Sequence, residues 1–508
     1  MEKLREVRLE IEKLVILRSV VNGMARVSHE KPIRLAFQRG KKPLASEPMQ
    51  LADRYARWLE GCVVAEAPPL RLAREIPEVE LQTLWAAGEF GREFMTTTGG
   101  PVRVEKFGVW NREPGPHFID AQISFGGSRV RGGVEVNWNA SAWDEHAVSS
   151  PEYEGTILHV FAREAVRERG QSVPATCTAL GREVPQIWLD VSRFEFLPVV
   201  DPPPCETTAC RERLGALPES RVLELVEAAA QYRLCRKAAR LGRLTEVFGP
   251  DEALYQAVAE ALGYRNNKLP FTLLSQRFPL ALLRARSREI EPLLFAGSGF
   301  LNATDLTPMA GDTRGYLRDI WAQWWPHRTE YDRLTVPAAL WNLRGLRPVN
   351  HPQRRVAALA EIVRHWPVLE TLARSANVAA LRNFFDQLSH AYWDFHYTLT
   401  SKRSAERMAL VGPSRCTDLF LNVFFPLAVS AAPKFWETYR EFPAADTNQR
   451  VEIAAHRLFG KAAIRRQLGK RALTQQGLLQ IYEDFCMACD ADCARCAMPD
   501  RLDRLDET

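Results

Sequence analysis

Hydrophobic and polar residues alternate with a period of two along two neighbouring stretches of this chain. Ile119, Ala121 and Ile123 alternate with polar residues in the first stretch, and Val134 and Val136 do so in the second. This period is typical of half-buried strands, and the Gly-Gly pair between the stretches favours a hairpin turn. The pattern therefore predicts an antiparallel hairpin.

Further elements are predicted on both sides of the hairpin. Apolar stretches at 102–107, 156–161 and 187–191 predict strands, and the segment 81–94 predicts a helix that precedes them. Beyond about residue 211 the strand patterns end and helical patterns follow one another. The expected fold class is therefore α+β, with a mixed sheet followed by a large helical region.

The chain of 508 residues is too long for one ordinary hydrophobic core. A proline run at 201–204 indicates a linker. The predicted organisation is a helical extension (1–75), a sheet domain (76–200), a helical domain (205–485) and a short cysteine-rich tail (486–508).

Two observations bear on location in the cell. No apolar run is long enough to span a membrane, and the amino-terminal segment has the charge pattern of an amphipathic helix rather than of a signal peptide. We therefore expect a cytoplasmic protein with no membrane partner. Met24 is an alternative start to Met1, and the sequence leaves the choice open.

Two carboxylates on the hairpin are candidates for metal binding. Asp120 and Glu135 lie on paired strands, and carboxylates that converge from neighbouring strands commonly hold a hard divalent cation. The expected ion is Mg²⁺ or Mn²⁺. Trp143, His146 and His159 lie in the same region, and a polar cluster edged by aromatic residues suggests a cleft. The plain alternative is that both acids are solvated on an exposed face of the sheet.

Basic residues are unevenly distributed although the net charge is only +5. This balance permits nucleic acid binding without requiring it. Two clusters in the helical region could contact phosphates, with a solvated helix face as the alternative. The candidate residues are Arg344, Arg347, Arg354 and Arg355 in the first cluster, and Arg465 and Arg466 in the second.

The carboxy-terminal tail carries four cysteines, Cys486, Cys489, Cys493 and Cys496, with the spacing C-x2-C-x3-C-x2-C. In a reduced compartment such a cluster favours metal binding over disulfides, and four thiolates suit zinc or an iron–sulfur cluster. Free thiols at the end of a helix are the alternative.

Several dispersed motifs make the chain similar to a bacterial family, the domain of unknown function 2851. They occur in the same order over about residues 80–500. They are LQTLW near 81, GPHFIDA near 115, GVEV near 133, W-x2-H at 143–146, GYRNNKLPF at 263, LLFAGSGFL at 293, LRPVNHPQRRVAALA at 346, LVGPSRCTDLFLNVFFP at 410 and QQGLLQIYEDFC at 475.

The hairpin segment also resembles the core of the PD-(D/E)xK nucleases. This resemblance implies a magnesium site in which Glu135 takes the place of the metal-binding Glu. The place of the Asp is held by His117, so Asp120 would have to substitute, and the place of the Lys is held by Asn137. His117, His146 or His159 would then supply the missing base. Glu89 or Glu93, on the preceding helix, would supply an extra acid.

Three functions remain open from the sequence. The first is a metal-dependent nuclease that acts on nucleic acid, with DNA favoured over RNA, and with a cysteine cluster that pins the tail as in repair-type exonucleases. The second is a nuclease-like module that binds nucleic acid or a partner protein after its catalytic residues have been lost. The third is an assembly protein with no role in nucleic acid chemistry. The oligomeric state is not predicted.

Overall fold

The predicted hairpin lies at the centre of a seven-stranded mixed sheet. The computed structural model describes residues 50–60, 78–111, 114–143, 150–163, 175–191, 209–264, 266–301, 310–343, 346–444, 449–460, 471–487 and 496–502. Within them the strands are β1 (Glu93–Met95), β2 (Pro101–Lys106), β3 (Val109–Trp110), β4 (Phe118–Phe125), β5 (Ser128–Asn139), β6 (Thr156–Arg163), β7 (Thr176–Cys177), β8 (Glu183–Val184) and β9 (Gln186–Trp188).

The sheet changes direction at β5. Strands β1, β2, β4 and β5 pair antiparallel in that order, β3 pairs with β4, and β5, β6 and β9 pair parallel. A separate two-stranded sheet is formed by β7 and β8. Residues 133–137 of β5 are buried; Gly133 and Val134 lie between β4 and β6, and the next three residues pair with β6 alone. The mixed sheet and the helices that follow it confirm the α+β fold class.

The described helices begin before the sheet and dominate after it. They are α1 (Gln50–Glu60), α2 (Glu78–Ala86), α3 (Ala209–Ala216), α4 (Glu219–Phe248), α5 (Pro250–Leu262), α6 (Lys268–Arg277), α7 (Leu280–Ala285), α8 (Ile290–Gly297), α9 (Gly311–Trp324), α10 (Arg328–Tyr331), α11 (Pro352–Arg364), α12 (Trp366–Ser375), α13 (Val378–Gln387), α14 (Pro413–Leu419), α15 (Phe425–Ala431), α16 (Phe435–Arg440), α17 (Gln449–Phe459), α18 (Ala472–Ile481) and α19 (Met498–Leu502). Two π-helical turns, Phe420–Phe424 and Tyr482–Met487, join this series. None of the helices in the described ranges has the length and apolar character needed to cross a membrane.

Helix α2 covers one face of the sheet. Its residues Leu81 and Trp85 are fully buried and belong to the same hydrophobic cluster as Val134, Val136 and Val160. The alternate residues of β5 therefore point to the opposite face of the sheet. This places Glu135 and Asn137 away from α2.

The predicted helix over 81–94 is too long at its carboxy-terminal end. Helix α2 ends at Ala86, and strand β1 begins at Glu93. Gly88 and Gly91 adopt positive φ values of 66° and 88° in between. This left-handed backbone conformation favours glycine and ends the helix.

The predicted alternation in β4 is wrong at its first residues. The pairs Phe118 with Val134 and Ala121 with Gly132 leave two residues of β4 opposite one of β5, which is a β-bulge. Asp120 has a φ of 64° at this bulge. As a result Ile119 is 41% exposed, although Phe118 and Ala121 are fully buried.

Helix α4 forms the spine of the helical region and contacts α1, α5, α15 and α18. The closest approach is to α18, where a Cβ atom on Gly477 would lie 2.1 Å from the carbonyl oxygen of Val226. On α1, the backbone nitrogen of Ala52 donates to Gln231 Oε1 at 2.8 Å. All described residues belong to one compact unit, Ala45–Thr508.

Candidate functional site

Glu135 is a buried carboxylate on the central strand, and its hydrogen-bond partners come from the residue before β4 and from β5 itself. Its Oε2 accepts from the backbone nitrogen of His117 at 3.0 Å and lies 2.9 Å from Nδ1 of the same residue. Its Oε1 accepts from the side-chain amide of Asn137 at 3.3 Å. Only 5% of Glu135 is exposed. The carboxylate is therefore held by protein donors on both oxygens.

The hydrogen bonds continue from Asn137 into the interior. Asn137 Oδ1 lies 3.2 Å from His159 Nε2, and His159 Nδ1 lies 2.8 Å from Thr176 Oγ1. Since the Asn137 amide nitrogen donates to Glu135, its oxygen must accept, which places the His159 proton on Nε2. We use the name polar chain for His117, Glu135, Asn137, His159 and Thr176.

His159 is a neutral, enclosed member of the polar chain. It is fully buried, and its ring lies 5.3 Å from the Trp143 ring and 5.7 Å from the Phe161 ring. Burial lowers its pKa to about 4, in spite of the opposing charge of Glu135. With both ring nitrogens bonded inside the protein, His159 is not placed to accept a proton from a substrate. This argues against His159 as the missing base.

His117 is the member of the polar chain that reaches solvent, with 29% of its side chain exposed. Its Nε2 lies 3.9 Å from a carboxylate oxygen of Glu78, at the first residue of α2. The other oxygen of Glu78 accepts from the backbone nitrogen of Trp138 at 3.2 Å. The imidazole ring of His117 is thus flanked by two carboxylates, one at each nitrogen.

This environment raises the pKa of His117. Burial alone would lower it, but the hydrogen bond to Glu135 and the negative charges of Glu135 and Glu78 outweigh that effect. The backbone nitrogen of Val136 also lies 3.3 Å from Nδ1, a contact that favours the neutral ring. The net effect is nevertheless a pKa above the ordinary histidine value, in the direction of a positively charged ring between the two acids.

Asp120 is separated from Glu135 by the bulge. Its carboxylate bonds to the guanidinium of Arg131, and the two side chains are 51% and 65% exposed. Among the described residues, no three His, Cys, Asp or Glu side chains are grouped so that they could hold a metal ion. Asp120 is thus paired with Arg131, and Glu135 with His117 and Asn137, and the magnesium site predicted from the two acids stays a prediction.

The two acids proposed from the preceding segment have other partners. Glu89 bonds to Arg240 Nε at 2.5 Å and to Arg243 at 3.1 Å, and so links the sheet to α4. Glu93 lies on β1 and pairs with Arg103 on the surface at 3.2 Å. The acid that helix α2 does bring to the site is Glu78. His146 lies outside the described residues.

Arg354 and Arg355 are structural arginines and not surface ligands for phosphate. They are 0% and 3% exposed. Arg354 donates to the backbone oxygens of Trp393, His396, Met408 and Ala409. Arg355 donates to the backbone oxygens of Leu410 and Val349, both at 2.7 Å, and to Asn350 Oδ1 at 2.8 Å. These contacts take up the terminal nitrogens of both guanidinium groups and correct the prediction for both residues.

Of the four remaining candidate arginines, one lies within the described residues and three lie outside them. Arg347 is exposed. Arg344, Arg465 and Arg466 lie outside the described residues. The second basic cluster therefore stays a prediction.

Only part of the cysteine tail is described. Cys486 is buried in the π-helical turn Tyr482–Met487, and Cys496 is half-buried just before α19. Cys489 and Cys493 lie outside the described residues. Zinc or an iron–sulfur cluster at these four thiols stays a prediction.

Three residues at the site were missed by sequence reasoning. Glu78 faces His117, and Thr176 is the innermost member of the polar chain. The third is Tyr153, whose phenol has a pKa raised by burial and by the negative charge of Glu135. The sequence contains a signal for Glu78, because this residue begins the helix that precedes the sheet. Thr176 lies on the two-residue strand β7 and Tyr153 in a single 3-10 turn, and elements this short show no hydrophobic period in the sequence.

The chain belongs to the family described as protein of unknown function (DUF2851), whose sequence profile matches residues 78–441. The match covers the sheet, the polar chain and most of the helical region, and it confirms the family resemblance. Comparisons with curated proteins and with solved structures found no match.

Proposed function

We propose that this family member is a nuclease-like binding module, which holds nucleic acid phosphodiesters at the polar chain without a metal ion. The observation that carries the proposal is the position of His117. Its ring lies between Glu135 and Glu78, at the place where the nuclease pattern has a metal-binding aspartate. A protonated imidazole places one positive charge there, where a nuclease has the two charges of a magnesium ion.

The other residues of the site agree with this proposal. Asn137 stands where the nuclease pattern has a lysine, and its amide is used within the polar chain. An amide cannot accept a proton from an attacking water as an amine or imidazole can. The exposed edge of the His117 ring can donate to a phosphate oxygen. The nuclease-like segment and the positive net charge support nucleic acid as the partner.

The first experiment compares two variants that each introduce one carboxylate. His117→Asp places a carboxylate between Glu78 and Glu135, and Ser124→Asp adds one elsewhere on the sheet. Binding of labelled single- and double-stranded DNA and RNA is measured by fluorescence anisotropy over a range of KCl concentrations. We expect wild-type affinity to fall steeply with salt. We also expect His117→Asp to weaken binding about tenfold more than Ser124→Asp does, by the loss of a charge-assisted contact.

Two results would exclude the binding role of the polar chain. One is a wild-type protein that binds none of the four nucleic acids. The other is equal binding by the two aspartate variants, because the position of the new charge would then be irrelevant.

A metal-dependent nuclease is the second candidate. It is favoured by one observation, namely that Glu78 and Glu135 both face the partly exposed ring of His117. Displacement of that ring would leave two carboxylates facing each other. The residues as placed do not hold a metal, so we derive no catalytic step for this candidate.

Cleavage and metal binding separate the two candidates. Binding of Mn²⁺ is measured by calorimetry on the wild type and on Glu135→Ala, so that metal held by the cysteines cancels in the difference. The binding module predicts no difference, no cleavage with Mg²⁺ or Mn²⁺, and a gain of Mn²⁺ binding in His117→Asp. Wild-type cleavage that is lost in Glu135→Ala would establish the nuclease in its place.

A further inference from the structure

A cleft of about 940 Å³ lies between the sheet and the helices that follow α4. Its walls come from β3 and β4 on one side and from α5, α6 and α7 on the other. The volume is in the range of sites that bind small molecules. The residues that matter for its chemistry are Val109, Trp110, Ile119, Gln276, Arg277 and Arg284.

Two exposed apolar residues form part of the sheet wall. Val109 and Ile119 are register partners on β3 and β4, and they are 58% and 41% exposed. The bulge at Asp120 turns Ile119 to this side. Large apolar side chains that are exposed together in a concave wall are typical of a binding surface for an apolar group.

Arg277, at the end of α6, carries an uncompensated charge in this cleft. Its guanidinium lies 5.0 Å from the centre of the Trp110 ring, and its Nη1 donates to the backbone oxygen of Thr335 at 2.9 Å. Among the described residues, no carboxylate lies within ion-pair distance of it. Burial lowers its pKa to about 10. An anion bound beside Arg277 would offset the cost of burying this charge.

Three polar atoms on residues that line the cleft, one from the sheet wall and two from the helical wall, have no hydrogen-bond partner in the described structure. They are Trp110 Nε1, Gln276 Oε1 and Arg277 Nε, and each is buried. These atoms have almost no accessible surface, so a ligand in the cleft does not reach them and they give no evidence for one.

We propose that this cleft binds a small organic anion, whose carboxylate or phosphate pairs with Arg277 and whose apolar body lies against Val109 and Ile119. The exposed Arg284 adds positive charge at the rim. Two acids line the cleft. Asp251 pairs with Arg374 at 3.4 Å, and burial raises the pKa of Glu252 to about 7, which reduces its negative charge near neutral pH. This site is independent of the proposed function of the polar chain.

The test uses the full chain and the fluorescent anion 1-anilinonaphthalene-8-sulfonate, which has an aromatic body and a sulfonate. Arg277→Met removes the charge and keeps a long side chain, and Arg288→Met is the matched control, because Arg288 is exposed and does not line the cleft. We expect Arg277→Met to weaken binding of the probe at least tenfold. Arg288→Met should stay within twofold of the wild type.

Competition identifies the chemistry of the anion. Displacement of the probe by decanoate indicates an acyl carboxylate, and displacement by deoxyadenosine monophosphate indicates a nucleotide phosphate. Either result supports the site. Displacement by neither, or probe binding by Arg277→Met within twofold of the wild type, overturns the proposal.

A second variant covers the case in which Arg277→Met does not fold, as judged by circular dichroism and thermal unfolding. Ala281→Trp fills the cleft from α7 and leaves every charge in place. Probe binding must then fall, and unchanged binding would overturn the site. His117→Asp should leave probe binding unchanged, so that failure of this proposal and failure of the polar-chain proposal are distinguishable.

Discussion

Two regions of the molecule bury polar side chains, and they do so in different ways. In the helical region Arg354 and Arg355 donate to backbone oxygens, and both are closed off from solvent. In the sheet, the polar chain links side chains to one another and ends at the partly exposed His117. Backbone oxygens cannot change their protonation, but a carboxylate and an imidazole can. Burial alone therefore does not mark a functional site, and the titratable connection to the surface is the additional feature on which our proposal rests.

The largest loss of stability is expected when the buried Arg354 loses its hydrogen bonds to the backbone. Arg354→Met leaves four backbone oxygens without their charged donor, and an unpaired buried polar group costs about 1–3 kcal/mol. We expect the free energy of unfolding in urea to fall by roughly 3 kcal/mol or more. The exposed Arg347→Met is the control and should change it by less than about 0.5 kcal/mol. Equal effects in the two variants would show that Arg354 is not a structural residue.

The next effect concerns the enclosed end of the polar chain. His159→Phe leaves Asn137 and Thr176 without their partner, so we expect a loss of about 2 kcal/mol at pH 7.5. The unfolded chain binds a proton at His159 near pH 6.5, but the folded chain does so only near pH 4. The wild type therefore loses stability as the pH falls from 6.5 to 4.

The pH dependence gives a specific readout for His159. The difference between His159→Phe and the wild type should narrow as the pH falls from 7.5 toward 4.5, because only the wild type has this histidine to protonate. Urea unfolding at several pH values measures the narrowing. A difference that stays constant with pH would contradict the buried neutral state of His159.

At the exposed end of the polar chain, the stability contributed by His117 should depend on pH in the opposite sense. The pKa of His117 is raised by Glu135 and Glu78, so its contribution to stability is present below the unfolded pKa and is lost as the pH rises through the folded pKa. Glu135→Gln should lower this pKa, and Glu78→Gln should lower it less, since its carboxylate lies farther from the ring. NMR titration of histidine-labelled protein measures both shifts. An unchanged pKa in Glu135→Gln would remove the charge argument on which the proposed function rests.

The smallest effect is expected at Asp120. Its ion pair with Arg131 is exposed, and exposed pairs contribute about 0–1 kcal/mol. Asp120→Asn should change the free energy of unfolding by less than about 0.5 kcal/mol and leave Mn²⁺ binding as in the wild type. A change in Mn²⁺ binding would show that Asp120 takes part in metal binding in spite of the bulge.

Much of the sheet could be predicted because its signals are local. The period of two, the Gly-Gly turn and the position of Glu135 all follow from residues close in sequence. The bulge could not be predicted, because Asp120 is a non-glycine residue with positive φ and nothing in its own segment demands that conformation. Because of this one extra residue, Asp120, which was predicted to bind a metal ion, lies on the solvent-exposed side.

The arginines of α11 show a different limit. Their spacing suggested a surface cluster, but residues 356–363 of the same helix are buried on every side. A helix that is apolar all round lies inside a protein, so an arginine at its start needs internal partners. The near-continuous apolar run after Arg355 was therefore the signal against phosphate binding. The identity of the partners, from residues 393–410, required the tertiary structure.

The change of strand direction at β5 also has a consequence for the order of folding. Residues 128–134 of β5 pair with β4 across a two-residue turn, and residues 135–139 pair only with β6, beyond the connection 140–155. Contacts that close short loops form earlier than contacts that close long ones. We therefore expect the hairpin to form first and to act as the template on which β6 docks. Since Glu135 and Asn137 lie in the later half and His159 arrives with β6, the polar chain is completed among the last parts of the sheet.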